Sequence, residues 1–513
     1  MLRRRTLQSV VLAVAATLIS GTGGRLPLAA ERAIAGITID ELRTHVQVLA
    51  SDELAGRGVG HAGNARAETY VAEAIRRAGA QPVSDHAYLQ PVAVYQPVIG
   101  SEGRLTIAEG EQRLLDALPG DDFYPFPESA AGTTAARLVF AGHGISAPRD
   151  GHDDFSGRDV RGAILLVLDS APARLGQRGE DFFSAARKAR DAAAHGAAGL
   201  IILTPRPEGT RTLWPDESSV RAAPYRLYSE VQKSGLPVVA LSDRAADPIR
   251  RALESGRQLT ATVNSGVICR PVTIHNVLGM VEGRDGARDE LVVVGAHLDH
   301  DGVDAAGRIY NGADDNASGT AAVIAMSGAF ARAAVDGERA RRAVLFALWN
   351  GEEKGSLGAE AYLDAPLPPR RIVANINLDM IGRAEHVPDP TDPRFYGFDR
   401  SSPAQTGNVL HLLGYSYSPD LAAIVNAANR DIGLTIRQGY DEGAQGLLRR
   451  SDNWPFLRRG IPAVFLTTGL HPDYHTPDDD IERLDFGKLE RITRLAARAA
   501  WLAADGPAPR MRK

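Results

Sequence analysis

Cysteine is almost missing: Cys269 is the only one in 513 residues. No internal disulfide can form, so the fold must be held by its core or by metal. Aromatic residues make up 6% of the chain, no Lys/Arg stripe is interleaved with them, and the formal net charge is -5. A nucleic-acid surface needs a basic footprint, so that class of partner is argued against. Long apolar runs are lacking too: Val10 to Ile19 has ten residues, where a bilayer span needs about twenty. No stable membrane span is expected. There is no internal repeat or low-complexity block. What is present, 44% hydrophobic and 24% charged, is ordinary globular material, enough for about two to four domains.

The first thirty residues read as an export leader. Arg3, Arg4 and Arg5 precede the Val10 to Ile19 run, and Leu28-Ala29-Ala30 offers small residues for cleavage. A bacterial periplasmic or secreted protein is expected, with Sec and twin-arginine export both open. Beyond the leader the chain divides in two. Residues 137–267 carry a pattern of their own, with "ARLVFAGHGI", "GAILLVLD", "GLIILT" and "LPVVALS" as short strands around one or two helices. They read as a small α+β insertion in a larger domain made of 36–136 and 268–505. In that larger domain apolar strands alternate with helices from Glu290 onward: "LVVVGAH", a helix over 318–334, "AVLFALWN", "IVANINLDM", "IPAVFLTTG" and a C-terminal helix. The alternation predicts an α/β fold, a mostly parallel mixed sheet sandwiched by helices. Glu385 to Ser418, rich in Pro, Asp, Ser and Gly, reads as a long loop.

The chemistry sits at the ends of those strands. "VVVGAHLDH" ends in His297 and Asp299, "GADDNASG" follows, "LFALWNGEE" ends in Glu352 and Glu353, "NINLDMIGR" places Asp379, and "GLHPDYHTPDDD" carries His475. Ligands bind at the carboxyl ends of strands in open α/β sheets, so these segments can share one crevice. Imidazoles with carboxylates suit zinc, and a pair of zinc ions about 3.5–4 Å apart needs a bridging carboxylate. Asp314, a short side chain on a tight turn between Gly312 and Gly319, suits the bridge. Taken singly each signal has an ordinary explanation. A histidine at a strand end is usually a satisfied one, "DD" beside Gly and Asn is turn chemistry, and Asp478 to Asp480 reads as a solvated acidic helix start. Their joint occurrence in one order is what points to a site.

"GAHLDH", "NGADDNASG", "NGEEKGSLGA", "NLDMIGR" and "YHTPDD" together resemble the M28 zinc peptidases, which include di-zinc aminopeptidases and glutamate carboxypeptidase. The resemblance runs from about residue 40 to 500, and the 137–267 block is similar to the protease-associated (PA) domain inserted in some members. It implies a zinc-dependent exopeptidase fold acting on peptides with two zinc ions. His297, Asp314 and Asp379 would hold one, and Asp314, Glu353 and His475 the other. Asp299 would orient the ligand histidine, Glu352 would be the general base, and Tyr474 would serve the developing oxyanion. The resemblance also implies a cis peptide between Asp314 and Asp315. Three ligating carboxylates carry roughly -3 against about +4 from two zinc ions, which answers the repulsion within "DD". Glu353 and Glu352 are adjacent at a strand end and point in different directions, so one can bind metal while the other moves a proton.

One departure is that Asn453 stands where the family commonly has His in a Ser-Asp-His segment, which bears on packing or substrate preference. The expected activity is aminopeptidase. A carboxypeptidase of the glutamate carboxypeptidase type is the rival, and Arg383 or Arg449-Arg450 facing the pocket would favour it. A glutaminyl cyclase would leave part of the ligand set superfluous, and a catalytically inert peptide-binding protein on the same fold would not need Glu352.

Overall fold

The computed structural model describes residues 26–512 apart from 85–87, 100–101, 120–122, 127–128, 173–184, 205–225, 228–234, 285–286, 288, 305 and 444. The positive segment and apolar run of the expected leader lie outside the described residues. Its expected cleavage residues do not: Leu28–Ala35 is a helix, and Ala29 and Ala30 are buried.

Four strands and one helix place the site. Strand β1 (Glu290–His297) leads to helix α1 (Gly319–Val335), followed by β2 (Ala343–Trp349), β3 (Arg371–Leu378) and β4 (Ala463–Thr467). They lie in the order β2-β1-β3-β4 and all pair in parallel. β-branched and aliphatic residues make them, and successive side chains leave by opposite faces. Val292 and Val294 enter one core with α1 and the helix Phe486–Asp505, while Leu291 and Val293 enter a second core with Tyr362 and Phe456. Burial on both faces is why these strands read as continuous apolar runs and not as alternating ones. α1 is lined by small residues that let it lie close to its neighbours. By length and composition Ala313–Val335 could cross a membrane, yet it is largely buried inside the domain.

Among the described residues the large sheet has ten strands. Val267–Val281 runs antiparallel to β2, and Leu89–Ile99 runs antiparallel to Val267–Val281 through eleven residue pairs. On the other side Val409–Leu413 is antiparallel to β4, and Thr435–Arg437, parallel to it, forms the edge. This strand and the helix Pro403–Thr406 lie within the stretch expected to be one long loop, so Glu385 to Ser418 is only in part irregular. A second sheet of eight strands has its own core, including Leu138, Ile164, Ile201 and Val239. It draws in Arg104–Glu109 and Gln112–Ala117, so the inserted unit opens at Arg104 and not at Arg137. The two strands were hidden because they are short and partly exposed, with polar residues among the apolar ones and without the dense apolar runs that marked the rest.

Candidate metal centre

The carboxyl ends of the four parallel strands converge. β1 ends in His297, Glu352 and Glu353 follow β2 by way of Gly351 (φ 81°), Asp379 follows β3, and His475 lies on the loop after β4. Met380 (φ 55°) and His475 (φ 53°) both take left-handed backbone, unusual for residues with a side chain and common where a site over-determines the conformation.

Asp315 stands at the middle of the group. Its Oδ1 is 3.2 Å from His297 Nε2, and its Oδ2 is 3.1 Å from His475 Nε2. His297 Nε2 is also 3.3 Å from Asp379 Oδ1, and His475 Nε2 is 3.2 Å from Glu353 Oε2. One carboxylate thus joins two clusters, His297–Asp379 and His475–Glu353. The sequence had given this place to Asp314, and the geometry corrects that by one residue. Asp314 turns away: its carboxylate accepts the Gly382 N–H at 2.6 Å and lies 3.3 Å from His471 Nε2. The backbone through 312–316 follows no regular period, with Gly312 left-handed and Asp315 and Asn316 outside the helical region, so adjacency alone could not tell which carboxylate faces inward. The cis peptide is likewise one step on, between Asp315 and Asn316.

Two residues that the sequence reading missed belong to the group. His300, fully buried, lies with Nδ1 2.7 Å from Glu353 Oε1. Asp301 lies with an oxygen 3.6 Å from His475 Nδ1. His300 closes the "GAHLDH" string and Asp301 follows it directly, the signal that could have found them. Asp299 acts differently from expectation: its carboxylate accepts the N–H groups of Gly351, Glu352 and Glu353 at 2.8, 3.0 and 3.3 Å, while it reaches His297 Nδ1 only at 3.9 Å. The imidazole instead faces the Asp299 carbonyl oxygen at 3.1 Å. Asp479, expected in solvent, is fully buried and accepts the N–H groups of Asp314 and Asp315, and burial pushes its carboxyl up to about 6. Ser451 donates to Asp379 Oδ2 at 2.6 Å. Asn453, the departure from the family pattern, is buried and donates to the Leu448 carbonyl.

Electrostatics say what the group lacks. Burial would lower the His475 imidazole, but Glu353 and Asp315 outweigh it and push it up to about 12. His297 is raised for the same reason by Asp379 and Asp315 against burial. Carboxylates this dense in a buried place demand cations. His297 Nε2 and Asp379 Oδ1 face each other without a hydrogen-bond partner, as ligand atoms do. Three sets, His297–Asp315–Asp379, His300–Asp315–Glu353 and Asp301–Glu353–His475, each bring their ligand atoms within 4.8 Å of one another. This N/O donor set fits a divalent metal, which would displace the imidazole protons.

Glu352 belongs to none of these sets. It lies 4.0 Å from His297 Nε2, and burial, with Asp452, Glu353 and Asp379 nearby, pushes its carboxyl well up. Tyr474 stacks on His475 with ring centres 3.9 Å apart, and burial and the surrounding carboxylates keep its phenol protonated. Glu352, Glu353 and Tyr474 open on a cleft of about 460 Å³. Arg383 does not face it; it pairs with Asp473 at 2.7 Å.

Residues 276–500 match the sequence model of Peptidase family M28, and residues 132–249 match that of the PA domain. Aminopeptidase YwaD of Bacillus subtilis is 25% identical over 504 residues, covering 97% of this chain and 90% of its own. Transferrin receptor protein 2 of Mus musculus is 25% identical over 498 residues, covering 86% of this chain and 58% of its own. The solved aminopeptidase from Aneurinibacillus sp. strain AM-1 shares the fold, with a TM-score of 0.55 at 20% identity over 94% of this chain and 97% of its own. The chain thus carries a Peptidase family M28 region over 276–500 and a PA domain over 132–249, and with its aminopeptidase relatives this makes it a metallo-exopeptidase.

Proposed function

We propose that this chain is a di-zinc aminopeptidase that releases N-terminal residues from peptides. The observation that carries the reading is Asp315, whose two oxygens face two separate histidine–carboxylate clusters. His297, Asp315 and Asp379 would hold one zinc, and Asp315, Glu353 and His475 the other. Bound there, zinc supplies a Lewis acid for the peptide carbonyl and makes water a better nucleophile. The remaining residues do the rest. Glu352, adjacent to a ligand but outside the ligand sets, takes the proton of the attacking water at Oε2 and returns it to the leaving amine. Tyr474, whose phenol keeps its proton, donates to the oxygen on which negative charge develops. Asp299 holds the 351–353 backbone so that Glu352 and Glu353 diverge.

The relatedness to YwaD supports amino- over carboxypeptidase activity, while Arg449 and Arg450 on the cleft lining are the feature that favours the carboxypeptidase. The relatedness to a receptor keeps the inert binding reading in the test. The chemical groups that a purely binding protein could discard, Glu352 and the inward carboxylates, are all in place. The test is release of product from aminoacyl anilides and N-blocked dipeptides by zinc-loaded and chelated protein. Cleavage of the free-amine substrates alone, abolished by chelation, is expected; cleavage of the N-blocked ones alone would move the assignment to carboxypeptidase, and no cleavage with two metals bound would leave a binding role. Glu352→Gln should retain two zinc ions and lose about 10²–10⁴-fold in kcat. Export is part of the same proposal, resting on Arg3 to Arg5 and the Val10 to Ile19 run. A reporter fused to residues 1–30 that stayed in the cytoplasm would refute it.

A further inference from the structure

The cleft beside the metal centre is not electrically neutral along its length. Its lining carries Glu352, Glu353 and Glu360 together with Lys354, Arg449, Arg450 and Arg458. Arg458 is paired with Glu360. Arg449 and Arg450 have no carboxylate partner among the described residues. Arg449 lies over the Trp454 ring, 5.2 Å from its centre, and Arg450 spends one N–H on the Gln445 carbonyl at 2.5 Å. Both side chains are exposed to the cleft and held in place, so little freedom is lost when an anion binds them. The buried Asn453–Leu448 hydrogen bond ties the turn that bears them to the helix Asn453–Arg458.

We infer that Arg449 and Arg450 form an anion subsite that selects peptides carrying a carboxylate besides the bond to be cut. The inference rests on the exopeptidase reading of the adjoining centre. A guanidinium meets a carboxylate with two parallel N–H···O bonds, a geometry that a neutral amide cannot match. The carboxylate has two sources, the C-terminus of a very short peptide or an acidic side chain.

The experiment compares, on zinc-loaded protein, leucyl-alanine, leucyl-alanine amide and leucyl-glutamic acid α-amide, whose side-chain carboxylate is free, with leucyl anilide as the reference without a carboxylate. The ratio of kcat/KM for leucyl-alanine over its amide reads a C-terminal carboxylate, and the ratio for the glutamyl α-amide over the alanyl amide reads an acidic side chain. At least one ratio is expected at about tenfold or more, carried by KM and weakened by salt. It should collapse to about one in the Arg449→Gln/Arg450→Gln double variant and invert in Arg449→Glu/Arg450→Glu. Hydrolysis of the amide and anilide with both ratios near one overturns the subsite alone, as does a ratio that survives the double variant. Failure of loaded protein to cleave any of the four overturns the aminopeptidase reading and the subsite with it.

Discussion

At the scale of single residues, the neighbours Asp314 and Asp315 have opposite duties, and substitution separates them. Asp315→Asn should cost zinc affinity beyond the about 10–100-fold typical of outer-shell partners, read by calorimetric titration of metal-free protein. Asp314→Asn should keep the zinc content of the wild type and instead lose stability, because its carboxylate serves the Gly382 N–H. Equal metal loss in both would return the bridge to an open question. Arg57 makes a second case. Its buried guanidinium donates to the carbonyls of Leu49, Leu298, Asn311 and Gly312 at 2.5, 2.8, 2.6 and 3.0 Å. It ties the segments leading to the site, and Arg57→Met, which strands those acceptors, is expected to lower unfolding free energy by about 3 kcal/mol or more. Neither Arg57 nor Asp479 was legible in the sequence. Each is a charged residue in a Gly- or Asp-rich string that ordinarily means solvent, and only the folded chain shows that backbone groups consume its charge.

Elements were more legible than residues. Apolar runs such as "LVVVGAH" and "AVLFALWN" declare strands buried on both faces, and the polar residue closing each run marks the strand end where ligands gather. The segments between them were opaque wherever the backbone leaves regular dihedrals, as at 312–316. At the start of α1 the packing is tight enough to test: a Cβ on Gly319 would meet Asn316 Oδ1 at 2.3 Å and the Leu378 carbonyl at 2.5 Å. Gly319→Ala should destabilise by about 1–3 kcal/mol and weaken zinc binding, since β3 must shift beside Asp379. A variant as stable as wild type would show the turn to be slack. In the inserted unit the helix Ala185–Ala194 is pinned by Lys188, whose ammonium donates to the carbonyls of His143, Leu168 and Ser170. Burial pushes this amine down to about 8 from the usual 10.5. Between those values the folded chain has released a proton that the unfolded chain still holds, so stability contributed at this position rises as pH goes from about 8 to 10.5. The stability difference between wild type and Lys188→Met should therefore move in favour of wild type over that window, measured by denaturant unfolding. A flat difference would mean that the ammonium keeps its ordinary affinity for protons.

For the molecule as a whole, two sheets with separate cores predict two unfolding transitions. Chelation should lower the one belonging to the zinc-binding domain, because metal binds the folded state alone and adds roughly 4 kcal/mol at a thousandfold excess over Kd. The inserted unit, whose core holds none of the ligand sets, should melt unchanged. A single transition moving as one would show the two cores to be coupled. The long ladder between Leu89–Ile99 and Val267–Val281 bears on how such a molecule breaks. Both passages of the chain between the units run side by side in that ribbon. A protease that nicks a surface segment of the insertion would cut the polypeptide without parting it, since eleven residue pairs and the strands beyond them still bind the pieces. Nicked protein should run as two fragments under denaturing conditions and as one particle under native ones, with its metal centre whole.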